Sequence, residues 1–561
     1  MIDWSAVRDP TFREVPPKLG TMGLALAVLA FVLVFLTASD YGIASDVANY
    51  FASSQRQIEW LRAFSSDLIA GRPTAGLQRE TVFESWRWYA QRIPHPPLAR
   101  ELSGLSWLAA HRWVDALTAY RLSVMLAYAA LTGWVAMFTF WGTRSRLAAL
   151  TAGLAVITYP SLFAHGHLAH TDLFLTGFWF ASAASLAVFE RTRSIGWLVA
   201  SGLLLGAACA TKFSGLLLIP VLAIWLVIRR PREALPALVI VALAAITVFV
   251  LVNPMLWVAP EVELAHYLRT GFARVDETMG RIHTEYFGVV YEFRPPWHYP
   301  WVWSLIVLPP TFLVAVVAGL TVVRRHWLVS FCLLNMAVMY FALLLPMAPM
   351  HDGVRLFLPV LAFQCVLVAV GAQRIGEWLS NRFSSPVRGR IEALVAIAIL
   401  VPAAGATIRT HPYQLSYANL LVGGTSGAEA KGLEVTNLKE AFSPSIVSDL
   451  DVLIPPGAVV DPGFLTDELC FYRSQGLARD WVVETWLPEE AVGGGVTLTC
   501  DADDMLPKGL ARAARDPDFV IVLNRKAVWR PSDRALFQHG GRPAYELSYD
   551  GVPLLRAFRT R

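Results

Sequence analysis

Residues 19–46 read LGTMGLALAVLAFVLVFLTASDYGIASD, an apolar run that ends in Ser39-Asp-Tyr-Gly-Ile-Ala-Ser-Asp46. A helix needs about 20 apolar residues to cross about 30 Å of hydrocarbon, and the run has that length. A carboxylate at the water-facing end of a span is costly unless solvated or paired, so a chain that keeps one there usually has a chemical use for it. Asp46 is therefore the first candidate for a catalytic residue.

The rest of the chain has the same character. Of its 561 residues 55% are hydrophobic and only 16% charged, with 20 Trp, which is not the balance of a soluble globular protein. Apolar windows of spanning length fall near 19–38, 119–142, 148–164, 173–189, 195–211, 213–228, 235–257, 301–322, 327–346, 354–371 and 391–408. The reading is a polytopic α-helical membrane protein with about eleven transmembrane helices. Arg144 and Arg146, Arg191 and Arg193, Arg229, Arg230 and Arg232, Arg324 and Arg325, and Arg374, Arg382, Arg388 and Arg390 fall on every second connection. The positive-inside rule puts these loops in the cytoplasm together with Arg8, Arg13 and Lys18, and an odd number of spans then leaves the C-terminal tail outside. The first apolar run is too long for a signal-peptide core and no small-residue cleavage site follows it, so it is expected to stay as an anchor. The formal net charge of +4 is accounted for by these topology signals and gives no reason to invoke nucleic acid.

Three outer segments are long, 39–118, 258–300 and 409–561, whereas every inner loop is short. Chemistry is therefore expected on the outer face. Within the first, Val47–Ala70 and Thr81–Ile93 mix aromatics and Arg at helical spacing and read as helices lying at the interface. The segment closes with His95-Pro-Pro-Leu98, whose prolines fix an extended entry to a short helix before Arg121 opens the second span. Phe163-Ala-His-Gly-His-Leu-Ala-His-Thr-Asp172 gathers three histidines and a carboxylate in one outer turn, which can bind a metal or satisfy itself internally. Lys212, in Ala210-Thr-Lys-Phe-Ser-Gly215, costs about 2.5–3.5 kcal/mol at hydrocarbon depth, so it either snorkels to the surface or meets a lipid-borne anion. The second outer segment holds Asp276, Glu277, His283, Glu285 and Tyr286 ahead of Pro295-Pro-Trp-His-Tyr-Pro300. Arg355, in Met350-His-Asp-Gly-Val-Arg355, presents a donor fork suited to phosphate, or pairs with Asp352.

From His411 the pattern becomes that of a soluble α/β domain. Val496–Leu498 and Phe519–Leu523 read as strands, Leu510–Ala514 as helical, and Tyr549-Asp-Gly-Val552 as a hairpin turn. The chain thus divides into a membrane domain, 1–410, and an extracytoplasmic α/β domain, 411–561, in which no catalytic motif is visible. Cys209, Cys332 and Cys365 lie in apolar spans, whereas Cys470 and Cys500 share the outer tail and are expected to form a disulfide. There is no CxxC pair and no HExxH helix, so no thiolate or zincin metal site is expected.

The ordered set Asp40-Tyr-Gly-Ile-Ala-Ser-Asp46, His95-Pro-Pro-Leu98, His170-Thr-Asp172, Thr211-Lys212, Pro296-Trp-His-Tyr-Pro300, His351-Asp-Gly-Val-Arg355 and His411-Pro-Tyr-Gln with Leu421-Val-Gly-Gly424 resembles the polytopic GT-C glycosyltransferases. Among these the likeness is to bacterial relatives of protein O-mannosyltransferases and of the transferases that add aminoarabinose or galacturonic acid to lipopolysaccharide. The resemblance implies transfer of a sugar, with inversion, from a polyprenyl-phosphate carrier to a hydroxyl of a glycolipid or protein acceptor, on the outer face of the inner membrane. Asp46 takes the role of general base by motif match and Asp172 that of a second carboxylate. Lys212 and Arg355 become candidates for the carrier phosphate, and His95, His170, His351, Asp352 and Asp40 are carried over as substrate-binding positions. No cofactor is required by this pattern, and a divalent cation is compatible with it. Many relatives have Asp-Glu after the first span, whereas Val47 follows Asp46 here, so any metal bound by that second carboxylate has lost a ligand.

A transporter or flippase would need an ionisable path through the bilayer midplane, yet the acidic residues cluster on the outer side. A glycan ligase or polymerase would share the lipid phosphate but lack this order of motifs.

Overall fold

The computed structural model describes residues 17–72, 76–87, 95–272, 282–487, 496–501, 505–510 and 515–561. Arg8, Arg13, Asp276, Glu277, the end of the expected helix beyond Arg87 and residues 511–514 lie outside them. Six helices are long and apolar enough to cross a membrane: 116–143, 171–192, 234–251, 327–344, 359–380 and 387–410. A seventh is added if Tyr299–Ile306 and Pro310–Leu320, bent by 117° at their junction, form one broken span. Four shorter apolar helices, Gly20–Leu36, Arg146–Thr158, Ile195–Thr211 and Phe213–Arg229, occupy the remaining apolar windows. Every expected window is thus helical: the first helix runs Pro17–Leu36, 20 residues, whereas the other three have 10–17 and fall short of the roughly 20 that make a span by length alone.

Local chemistry fixes the helix ends. The Asp115 carboxylate accepts from the Thr118 amide at 2.9 Å and the Ser145 hydroxyl from the Ala148 amide at 3.1 Å, satisfying first-turn donors. Small residues let helices touch: a Cβ on Gly371 would lie 1.7 Å from the Ala315 carbonyl oxygen, so the 310–320 and 359–380 helices meet backbone to backbone. After the first helix, Val47–Ile69, Arg79–Trp86 and Leu98–Ala110 are helical. Trp60, Val82 and Trp86 close a small core there with Met255.

Among the described residues most of the strand structure lies in the tail. Beside a small hairpin of β1 (Thr284–Tyr286) and β2 (Val289–Tyr291) stands a seven-stranded mixed sheet. It comprises β3 (Val459–Asp461), β4 (Val482–Leu487), β5 (Val496–Cys500), β6 (Lys508–Leu510), β7 (Phe519–Leu523), β8 (Tyr545–Tyr549) and β9 (Val552–Arg559), in the order β6-β5-β4-β3-β7-β9-β8. β3 is parallel to β4 and β7, and the other pairs are antiparallel. Leu510, expected in a helix, ends β6 instead, because pairing with Thr497 extends the sheet edge. Cys470 and Cys500 are bonded, with Cα atoms 5.8 Å apart. They tie the helix Thr466–Ser474 to β5. One apolar core runs without a break from Ala30 in the first helix to Ala557 in β9, so the sheet is packed onto the membrane part.

Segment 433–443 makes that junction. It is buried along its length and runs beside the first motif, with the Gly42 amide donating to the Glu440 carbonyl at 2.9 Å and the Ser45 amide to the Leu438 carbonyl at 2.8 Å. A Cβ on Gly42 would lie 2.4 Å from the Phe442 carbonyl oxygen, which is why glycine stands there.

Candidate active site

Arg355 is the hub of a cluster of charged side chains. It opens the turn before the 359–380 helix and is 6% exposed. Its Nε donates to Asp172 Oδ2 at 2.9 Å, Nη1 to Asp352 Oδ2 at 2.9 Å, and Nη2 to Asp46 Oδ2 at 3.2 Å. Nη2 also lies 2.9 Å from His170 Nδ1. The expected pairing with Asp352 is present, but it is one of three carboxylate contacts. Lys212 does not snorkel to the surface: it is 5% exposed and its Nζ meets Asp172 Oδ1 at 2.5 Å. A buried lysine is tolerated at that depth because its charge is compensated on the spot.

Each carboxylate is held differently. Asp172 stands in the first turn of the 171–192 helix, where the N-terminal end of the helix favours negative charge, and it is 1% exposed. Asp352 accepts from His351 Nδ1 at 2.8 Å as well as from Arg355. Its backbone is left-handed, with φ 55°, and so is that of Asp46, with φ 68°. Asp is among the residues that tolerate this region, and two such carboxylates facing one guanidinium mark a site where geometry is over-determined by its surroundings. The Asp46 side chain keeps 44% of its surface open, unlike the other two. Burial pushes the Asp46 carboxyl up, but Arg355, helped by His170, outweighs this and holds it below the usual range. For Asp352 burial is likewise overcome, by His351, Arg525 and Arg355.

The other expected positions divide. His170 joins the cluster. His167 turns away to Thr37 Oγ1 at 2.8 Å and stacks on Tyr41, so the three histidines of the 163–172 turn do not converge. Asp40 pairs with His411 Nε2 at 2.8 Å, outside the Arg355 network. The His95 carbonyl accepts from Arg100 at 3.0 Å, and its residue lines, with Lys212, Phe213, Phe272, Leu343 and Met347, an apolar cavity of about 170 Å³. Among the described residues no group of three or more His, Cys, Asp or Glu is placed to hold a metal ion. Asp46, Asp172 and Asp352 are all turned onto a guanidinium, an arrangement that does not fit a divalent cation.

Two contributors are absent from the motif reading. Arg121, 1% exposed, donates to the carbonyls of Ala38, Tyr41 and Gly42, and so fixes the backbone that carries Asp46. Arg525, from the sheet domain, donates to Asp352 Oδ1 at 2.6 Å. A lone Arg at the start of a span and another in a strand-to-turn junction carry no distinguishing pattern in one sequence.

Residues 111–266, which include His170, Asp172 and Lys212, match the family model described as Dolichyl-phosphate-mannose-protein mannosyltransferase. The likeness is to a family of mannosyltransferases and covers part of the helical region of the chain. The matched stretch is less than half of the chain. No curated protein matches. Among solved structures, ArnT from Cupriavidus metallidurans in the apo state is 15% identical, with a TM-score of 0.49 and coverage of 96% of this chain and 97% of that one. The same protein bound to undecaprenyl phosphate gives 13%, 0.47, 97% and 98%. The S. cerevisiae protein O-mannosyltransferase Pmt1-Pmt2 complex bound to the sugar donor gives 16%, 0.30, 49% and 39%. Identities and scores at this level assign no residue a role.

Proposed function

We propose that the protein moves a sugar from a polyprenyl-phosphate carrier to an acceptor hydroxyl on a glycolipid, lipopolysaccharide or protein, at the outer face of the inner membrane, with inversion. The observation that carries the reading is the pair of buried cations, Lys212 and Arg355, set between a carboxylate cluster and the apolar cavity that Lys212 lines. The isoprenoid lies in the cavity, and its phosphate exchanges for carboxylate oxygens on Arg355 and Lys212. The acceptor oxygen attacks the anomeric carbon, the bond from that carbon to the phosphate oxygen breaks, and the carrier phosphate leaves with the electron pair. Its charge goes from one negative toward two, so fixed cations stabilise the transition state more than the ground state.

Asp46 takes the hydroxyl proton. Its side chain is the open one of the three carboxylates, and it is ionised at neutral pH because Arg355 holds its pKa down. When the phosphate draws Arg355 away, that restraint weakens and Asp46 becomes a stronger base at the moment the proton is released. Asp172, buried between Lys212 and Arg355, holds both cations at the spacing the phosphate meets. A transport role is not favoured, because the ionisable side chains named above gather at helix ends rather than along a path through the bilayer.

The test is turnover of a polyprenyl-phosphate sugar by the purified full chain in proteoliposomes, paired with mass analysis of surface glycolipids and glycoproteins from a deletion strain. Donor-dependent glycosylation is expected; lipid movement across the bilayer without bond cleavage would defeat the reading. An alkaline phosphatase fusion after Arg561 is expected to be active, and a silent fusion would reverse the proposed orientation.

A further inference from the structure

Arg525 follows the last residue of β7, Leu523, by two positions, yet its guanidinium leaves the sheet and is 3% exposed in the wall of the site. Nη2 donates to Asp352 Oδ1 at 2.6 Å, Nη1 to the Asn437 carbonyl at 2.8 Å, and Nε lies 3.5 Å from Glu434 Oε1. The two oxygens of Asp352 are therefore shared out, Oδ1 to Arg525 and Oδ2 to Arg355 and His351. Around this point the three aspartates Asp46, Asp172 and Asp352 face the three cations Lys212, Arg355 and Arg525, with Glu434 beside Arg525 on the far side.

We propose that Arg525 is a positioning residue for sugar transfer: it neutralises one oxygen of Asp352 so that Arg355 keeps donors for the carrier phosphate, which makes the sheet domain part of the active site. The inference rests on the glycosyl-transfer reading above. Without Arg525, Asp352 would be compensated by Arg355 and His351 alone, and the guanidinium of Arg355 would be drawn toward it and away from Asp46 and Asp172. The cluster would also gain a net negative charge, which opposes an anionic carrier and opposes further the second charge that develops as it leaves. A guanidinium fits because its planar fork reaches the carboxylate and the Asn437 carbonyl at once, which a single ammonium point cannot do in the same geometry. Segment 433–443 supplies that carbonyl and also the backbone that supports Gly42 and Ser45, so one strap orients Arg525 and the Asp46 loop together.

The experiment compares Arg525→Gln, Arg525→Ala, Asp352→Asn and the Asp352→Asn/Arg525→Ala double variant of the full chain in proteoliposomes. It reads kcat, KM for the lipid-linked donor, affinity for polyprenyl phosphate and melting temperature. Loss of one charge-assisted bond predicts a fall in turnover of about 10- to 100-fold in Arg525→Ala, with weaker polyprenyl-phosphate binding. Added guanidinium ion is expected to restore part of the rate, and Arg525 removal is expected to cost much less when Asp352 is already neutral. Equal losses in both backgrounds, or wild-type turnover and binding in Arg525→Ala, would overturn the inference. If Arg525→Ala does not fold, Arg525→Gln decides, since it keeps a donor but no charge: unimpaired phosphate binding there would also overturn it. Wild-type enzyme that cleaves no lipid-linked donor would instead defeat the underlying functional reading.

Discussion

Two sets of carboxylates, one of them with the half-open Asp46, lie along the same junction and behave in opposite ways. Asp46 and Asp352 are held below the usual carboxylate range although burial alone would raise them, Asp46 by Arg355 and His170, Asp352 by His351, Arg525 and Arg355. Glu434, Glu440 and Glu468, 1–3% exposed, are pushed up to about 7 by the same burial. For Glu440 burial outweighs the backbone hydrogen bonds that favour its charged form, Glu468 has Lys439 at 2.9 Å, and Glu434 has Arg525 Nε at 3.5 Å. The balance between burial and close cations separates the two sets. The aspartate set thus stays ionised at neutral pH, whereas the glutamate set changes its charge near pH 7.

The sharpest way to break this contrast is Asp46→Asn, which keeps the side-chain volume and removes the proton acceptor. We expect transfer to fall by about 10²- to 10⁴-fold with insertion and folding unchanged, read as donor turnover by the purified variant. Near-normal turnover would remove Asp46 from the mechanism. Arg355→Ala should be next in size, since it strips three carboxylates of their common partner: about 3–5 kcal/mol of stability, measured by chemical unfolding in detergent, alongside loss of carrier binding. Lys212→Ala should weaken polyprenyl-phosphate binding by roughly 1.5–3 kcal/mol, and unchanged affinity would place the phosphate elsewhere.

The disulfide tests whether the glutamate wall is anchored separately, because Cys470 lies two residues beyond Glu468 on one helix. Replacing both cysteines by Ser opens a loop of 30 residues and should cost about 3–4 kcal/mol in the chain-entropy model. A melting temperature that does not move would mean that packing alone holds that helix. The smallest effect concerns Glu440. Its pKa is about 7 in the folded chain against 4.5 for a free side chain, so the folded state binds more protons than the unfolded one across that interval. Stability should therefore fall as pH rises from about 4.5 to about 7, and Glu440→Gln should flatten that slope. Glu434 and Glu468 supply the remaining slope, so a slope undiminished in the variant would remove Glu440 as a contributor.

Much of the architecture is legible locally. The apolar windows became helices, and Val496–Leu498, Phe519–Leu523 and the Tyr549–Val552 turn became strands and a hairpin, because residue periodicity and turn chemistry act within a few positions. Leu510 failed for the complementary reason, since a sheet edge recruited it through a partner distant in sequence. Asp46, Asp172, Lys212 and Arg355 each stood out as charges at the ends of apolar segments, where any ionised group needs an explanation. Asp40 and His95 shared the motifs but went to other partners, because a motif fixes residue types and not the direction in which they point.

By itself, then, the sequence determined a polytopic helical membrane chain with an α/β tail, and the charges that apolar surroundings would force into partnership. Tertiary structure alone decided the partners. Arg355 meets Asp46 across 309 positions and Asp172 across 183, and Arg525 meets Asp352 across 173. Such pairings follow from how helices, strap and sheet pack, with Gly42 and Gly371 permitting close approach, and no periodicity within one segment encodes them.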